Sequence, residues 1–195
     1  MNGLEETAIS GQNGSKMSGI EAAAISDPVQ SKSGGRERTA GMSETAQSSV
    51  NFRTITKRDI DAATALEREN FSEPWPRSAF EEIVDKGNAD YYLAEDPGTG
   101  ELIGGCVIFR VLDEGDITNV AVKEEYRNRG IATELIQYAT AHSESLGTED
   151  FTLEVRASNA SAIRVYEKCG FVSEGIRPGF YSRPREDAVI MWKRK

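Results

Sequence analysis

Val120-Ala121-Val122-Lys123-Glu124-Glu125-Tyr126-Arg127-Asn128-Arg129-Gly130-Ile131-Ala132 carries the strongest chemical signal in the chain. It reads as a strand that ends, a short loop, and a helix that begins at a glycine flanked by arginines. A helix start exposes unpaired backbone N–H groups and a partial positive charge. Gly130 lets the backbone approach a ligand closely, Ala132 keeps the next position small, and Arg127 and Arg129 add positive charge. These features suit a pyrophosphate, which Asn128, Ile131 and Thr133 would help to surround. No Gly-Lys-Ser/Thr follows, so this is not a Walker loop. The three spaced glycines of a dinucleotide fingerprint are absent too. Taken alone, the pattern equally suits an ordinary strand-loop-helix connection with solvated arginines.

A second group lies downstream, in Leu153-Glu154-Val155-Arg156 and Asn159 to Phe171. Strand alternation puts Glu154 opposite Leu153 and Val155, as a surface glutamate would be. Tyr166 shares a helical stripe with Ala162 and Ile163, as a core tyrosine would. Asn159 opens the same helix as a natural N-cap. Cys169 has no basic partner in sequence to activate it and reads as structural.

The chain has 195 residues, a net charge of -9, one histidine and two cysteines. The lone His142 excludes a His-rich zinc site, and no metal is expected. Its neighbours read as the polar end of a helix. Cys106 and Cys169 cannot build a disulfide framework, which fits a reduced, cytoplasmic protein. The acidic balance argues against nucleic-acid binding, and no apolar run is long enough for a bilayer. Residues 1–50 contain no aromatic residue before Phe52 and are rich in Ser, Gly, Ala, Gln and Glu. They read as a disordered tail, with at most a short helix near Glu21 to Ile25. The folded domain is expected over residues 51–195.

The elements that must position these residues follow from periodicity. Strands are predicted at Phe52 to Ile55, Tyr91 to Glu95, Leu102 to Leu112 and Asp116 to Val122, with a loop near Asp113 to Gly115. Further strands are expected at Phe151 to Val155, from Phe171 onward, and at Ala188 to Trp192. Helices are predicted from Thr56 to about Asn70, Ser78 to Lys86, Gly130 to Leu146 and Asn159 to Cys169. The order gives an α/β fold with three strands in an antiparallel meander, around a mixed sheet.

Arg127-x-x-Gly130-x-Ala132 resembles the acetyl-CoA loop of the GNAT N-acetyltransferase superfamily, Arg/Gln-x-x-Gly-x-Gly/Ala, at the matching place in the element order. Leu153 to Ile163 leading into Tyr166-Glu167-Lys168-Cys169-Gly170-Phe171 resembles the RimI type, the ribosomal-protein alanine N-acetyltransferases. Phe71-Ser72-Glu73-Pro74-Trp75 and Arg185 to Met191 agree with it. The resemblance covers roughly residues 52–193 and leaves out the tail. It implies a mixed, mostly antiparallel sheet flanked by helices, with acetyl-CoA as acetyl donor. It also implies a bulge at Val120, Ala121 and Val122 that frees backbone donors for the thioester. In this type Glu154 corresponds to the general base, Tyr166 to the general acid and Asn159 to a CoA contact. Transfer is then direct, to the N-terminal alanine of a ribosomal protein.

Two other readings stay open at this level: a GNAT enzyme for a small amine or a lysine side chain, and a non-catalytic acyl-CoA sensor. The presence of both Glu154 and Tyr166 speaks against the sensor. The oligomeric state is not legible.

Overall fold

The computed structural model describes residues 50–87 and 89–195. The expectations for the tail, including the short helix near Glu21, lie outside the described residues. The elements are β1 (Asn51–Thr54), α1 (Ile60–Asn70), α2 (Arg77–Lys86), β2 (Ala89–Glu95), β3 (Leu102–Val111) and β4 (Glu114–Val122). There follow α3 (Ile131–Ser145), β5 (Asp150–Arg156), α4 (Ala160–Lys168), β6 (Val172–Ser182) and β7 (Arg185–Lys193). One seven-stranded sheet has the order β1-β2-β3-β4-β5-β7-β6. Every pairing is antiparallel except β4 with β5, where α3 provides the crossover that a parallel pair requires.

The two faces of the sheet are covered by different helices. On one face α3 and α4 pack Leu135, Ile136, Ala139, Ala162 and Tyr166 onto Ile117, Val120, Val122, Leu153 and Val155. On the other, α1 and α2 pack Leu66, Phe80 and Ile83 onto Tyr91, Leu93, Val107 and Ala121. Strand alternation sorts the side chains: Tyr91 and Leu93 go one way, Tyr92 and Ala94 the other. Gly105 has no side chain because the buried Tyr91 ring occupies that place. A Cβ there would lie 2.1 Å from the Tyr91 hydroxyl. His142 sits at the end of α3, 3.2 Å from the Tyr92 hydroxyl and stacked with Tyr138. It is part of an aromatic cluster on the helix.

Strand bounds differ from the expected ones by one to three residues, and β4 and β6 show physical reasons beyond that. The loop expected at Asp113 to Gly115 is a two-residue turn, Leu112-Asp113, and Glu114 and Gly115 already belong to β4. Gly115 signals a close approach, not a loop: a Cβ there would come within 2.8 Å of the buried Phe151 ring. β6 is eleven residues long although it contains Gly175, Pro178 and Gly179. Register shifts between Ser173 and Gly175 and between Arg177 and Tyr181 absorb them. Asp187 accepts the Gly179 N–H at 2.7 Å and so holds the second irregularity.

The feature that shapes the site is a divergence of strands. β4 and β5 pair only over Glu114 to Asp116 with Asp150 to Thr152. Beyond that point β4 continues to Val122 beside β3, and β5 to Arg156 beside β7. A wedge therefore opens in the middle of the sheet.

Candidate active site

At the mouth of the wedge, the loop between β4 and α3 is curled by two left-handed residues, Asn128 (φ 61) and Gly130 (φ 86). Backbone curled in this way turns successive N–H groups toward one point, and here the first turn of α3 continues the set. Glycine tolerates the left-handed region, and asparagine does so better than most residues. The nest borders a cleft of about 390 Å³ lined by Arg127, Asn128, Gly130, Ile131, Ala132 and Thr133 on the loop side. Ser161, Arg164 and Lys168 of α4 line its opposite wall. The sequence reading missed these α4 residues, although Arg164 and Lys168 are four apart and so share a helix face.

The two arginines before Gly130 both make contacts within the fold. Arg127 lines the cleft but spends its guanidinium on the fold: Nε donates to the Val122 carbonyl at 2.9 Å and Nη2 to Asn70 Oδ1 at 2.7 Å. It ties the loop to β4 and to the end of α1. Arg129 lies outside the cleft lining. It turns back to the Glu125 carbonyl at 2.7 Å and lies over the Tyr126 ring. The loop presents its N–H groups to the cleft, and Arg164 and Lys168 bring positive side chains to the facing wall.

The bulge expected at Val120, Ala121 and Val122 falls earlier. Val107 faces Asn119 while Ile108 faces Ile117, so Thr118 is the extra residue. Val120, Ala121 and Val122 keep regular register with Cys106, Gly105 and Gly104. The Lys123 N–H bonds to the Ile103 carbonyl across the β3 edge at 2.9 Å. Alternation then directs the Ala121 N–H to β3 as well, and the Val120 and Val122 N–H groups into the wedge. Ala121 is thus corrected: it is not a free donor. The divergence of β5 leaves Val120 and Val122 facing the wedge.

On the α1/α2 face, β4 and β5 present polar groups on either side of the wedge. Glu154, half-buried on β5, pairs with Arg177 of β6 at 3.1 Å. Tyr181 donates to the Glu154 carbonyl at 3.2 Å, and Arg156 lies over the Tyr181 ring. Asp116 of β4 lies next to Thr152 in register and across from Phe109 of β3. Burial, and then the charge of Glu154, push its carboxyl up to about 6. The bulge puts Asn119 on this face too, where its Nδ2 donates to Glu67 Oε1 of α1 at 2.7 Å. Glu67 is buried and also accepts the Trp75 N–H at 3.3 Å. Burial raises it to about 7 against these two hydrogen bonds. Trp75 packs edge-on to Phe109, and Glu73 reaches Arg183 of the β6–β7 turn at 3.8 Å. The α1–α2 and β6–β7 connections therefore meet over this face. Sequence reasoning missed Asp116, Asn119 and Glu67, because nothing local marks a buried carboxylate.

Tyr166 projects from α4 on the other face and is fully buried. Burial, and then Cys106, Tyr181 and Cys169, raise its phenol well above the usual range, so it stays protonated. Asn159 does not line the cleft. It caps α4, its Oδ1 accepting the Ala162 N–H at 3.0 Å. Cys169 is buried and burial raises its thiol to about 11, so it is poorly suited to act as a nucleophile.

A nest beside a wedge that splits a mixed sheet, with N–H groups on one edge and carboxylates beyond, has the chemistry to take a phosphate-bearing molecule next to a second, basic one. The acetyltransferase (GNAT) family profile matches residues 60–171, more than half of the chain. The chain belongs to this family. A Bacillus subtilis relative, provisionally named a [ribosomal protein bS18]-alanine N-acetyltransferase, is 36% identical over 141 residues, 72% of this chain and 92% of the relative. The Escherichia coli (strain K12) enzyme that bears this name outright is 33% identical over 140 residues, 71% of this chain and 93% of the relative. A crystal structure of the Escherichia coli ribosomal-protein-S18-alanine N-acetyltransferase superposes with a TM-score of 0.67 at 29% identity, covering 74% of this chain and 93% of that one. Arabidopsis thaliana NAA60, solved with acetyl-CoA, superposes with a TM-score of 0.69 at 25% identity, covering 75% of this chain and 100% of that one. The mixed sheet flanked by helices is thus the GNAT fold, and the chain is an acetyltransferase of the RimI type. No helix among the described residues is long and apolar enough to cross a membrane.

Proposed function

We propose that this acetyltransferase moves the acetyl group of acetyl-CoA to the N-terminal α-amine of a protein, an alanine of a ribosomal protein in the cytoplasm. The observation that carries the reading is the wedge: phosphate nest at its mouth, the Val120 and Val122 amides on its edge, Glu154 and Asp116 on the face beyond. Similarity to the bS18-alanine enzymes over more than two thirds of the chain supports the substrate class.

Acetyl-CoA supplies a thioester whose carbonyl carbon is open to an amine. The nest at Asn128 and Gly130 holds the pyrophosphate through backbone N–H groups, with Arg164 and Lys168 on the facing wall. The Val120 and Val122 N–H groups are aimed where negative charge develops on the carbonyl oxygen. Glu154 receives the amine's proton through a water. Tyr166, held protonated by burial, donates to the sulfur as the thioester breaks. A raised phenol is a weaker acid than a thiol, so its hydroxyl acts as a hydrogen-bond donor. CoA leaves as a thiolate stabilised by that hydrogen bond and takes up its proton from solvent on release.

A carboxylate base favours an α-amine. An α-amino group has a pKa near 7.7–8.0 and a lysine near 10.4, so neutralising lysine costs about 3.4 kcal/mol more. The test is mass spectrometry at pH 7 to 8 with a peptide beginning Ala-Arg, beside the same peptide with a blocked N-terminus and a free internal lysine. Acetylation at the α-amine should be much the faster. Comparable rates, or faster lysine modification, would overturn the N-terminal assignment.

A further inference from the structure

Asp116 stands out from the other charged groups near the wedge. Its Oδ1 is buried and has no hydrogen-bond partner among the described residues. One bulge further along β4, on the same face, Asn119 is 4% exposed; its amide nitrogen donates to Glu67, and its Oδ1 also lacks a donor among the described residues. Two buried acceptors side by side on the acceptor face are costly in an apo protein, since neither recovers the hydrogen bonds it loses on leaving water. Such cost is tolerated where a ligand supplies the missing donors.

The charges around Asp116 narrow the ligand class. From β5 it faces Glu154, whose charge is already matched by Arg177 of β6. From β3 it faces Phe109, which is neutral and backed by Trp75. From α1, Glu67 reaches this face through Asn119. Asp116 is therefore the carboxylate here whose oxygen has no cation or N–H against it. A small group with several N–H donors and a positive charge matches two acceptors and an aromatic wall.

We propose that Asp116 seats the acceptor's α-ammonium group, beside Glu154 and with the Asn119 carbonyl oxygen as second acceptor. The inference rests on the N-terminal acetylation reading and adds a residue to it. Asp116 binds the amine in its charged form, and Glu154, steadied by Arg177, serves the deprotonation that follows.

The test is calorimetric titration of the full chain saturated with CoA. The probes are an Ala-Arg peptide and its analogue with a propionyl group in place of alanyl, which lacks only the amine. Wild type should bind the amine peptide at least about tenfold more tightly, the scale of one charge-assisted hydrogen bond. Asp116→Asn should remove most of this ratio and leave CoA affinity unchanged, and Asp116→Ser serves if the first variant does not fold. An unchanged ratio in the variant overturns the seat. So does a wild-type ratio near one, or a wild type that binds neither peptide. If the ratio behaves as expected but acetyl-CoA yields no acetylated peptide, the seat stands and the transfer reading fails.

Discussion

Glu67 is a buried carboxylate whose native pKa of about 7 stands well above its ordinary 4.5, through burial opposed by the Trp75 and Asn119 hydrogen bonds. Between those values the native protein holds a proton that the unfolded chain has released. Its stabilising contribution is complete below pH 4.5, falls as pH rises through 7 and is level above that. The difference of 2.5 units corresponds to about 3 kcal/mol at the alkaline limit, most of it lost between pH 5 and pH 8. Asp116, raised to about 6 from 3.8, acts with the same sign but has lost more of its share before pH 5. Asp59 has the opposite sign: hydrogen bonding to Arg53 holds it near 2, so its contribution is lost only in acid, outside this window. Glu67→Gln keeps an oxygen for the Trp75 and Asn119 donors and removes the charge. Urea unfolding at pH 5, 6, 7 and 8, read at constant m, should show wild type losing about 2.5 kcal/mol more than the variant. Parallel pH profiles would mean that Glu67 is solvated in the native state, and would refute the reasoning.

Gly130→Val puts a β-branched residue at φ 86, where the nest needs a left-handed backbone. Acetyl-CoA affinity should fall sharply by calorimetry, and unchanged affinity in the folded variant would remove the loop from the site. Tyr166→Phe keeps the buried ring and deletes the hydroxyl. Turnover should drop by roughly 10²-fold with acetyl-CoA binding intact, and full turnover would make Tyr166 a packing residue only. Gly105→Ala drives a Cβ into the buried Tyr91 ring, 2.6 Å from two of its carbons. It should cost about 1–3 kcal/mol in urea unfolding, and a neutral result would show that Tyr91 has room to turn.

Where a signal is local, the sequence carries it. Gly130 starts α3 and Gly147, at φ 101, follows its end, because backbone that must turn left-handed selects glycine. Asn159 caps α4 with its own side chain. Alternation along β5 put Leu153 and Val155 in the core and Glu154 on the other face. The local signal misled at Gly115, which read as loop, and it was silent on the irregularities of β6. There a glycine leaves room for Phe151, and Asp187 holds a bulge.

The sequence by itself determined the elements, their order and the strand-loop-helix turn at Asn128 and Gly130. Each of these depends on neighbours a few positions apart, within reach of backbone propensity and helical or strand period. Only the tertiary structure decided that β4 and β5 part after Asp116, since a divergence is a relation between strands 36 residues apart in sequence. The bulge at Thr118 shifts the register so that the Val120 and Val122 amides turn into the wedge and Ala121 pairs with β3, and the parting leaves those two amides without a β5 partner. It also decided that Arg127 and Arg129 serve the fold, and that Asp116, Asn119 and Glu67 share one buried face. A carboxylate's proton affinity is set by what surrounds it in space, and for these residues the surroundings come from other strands and from α1.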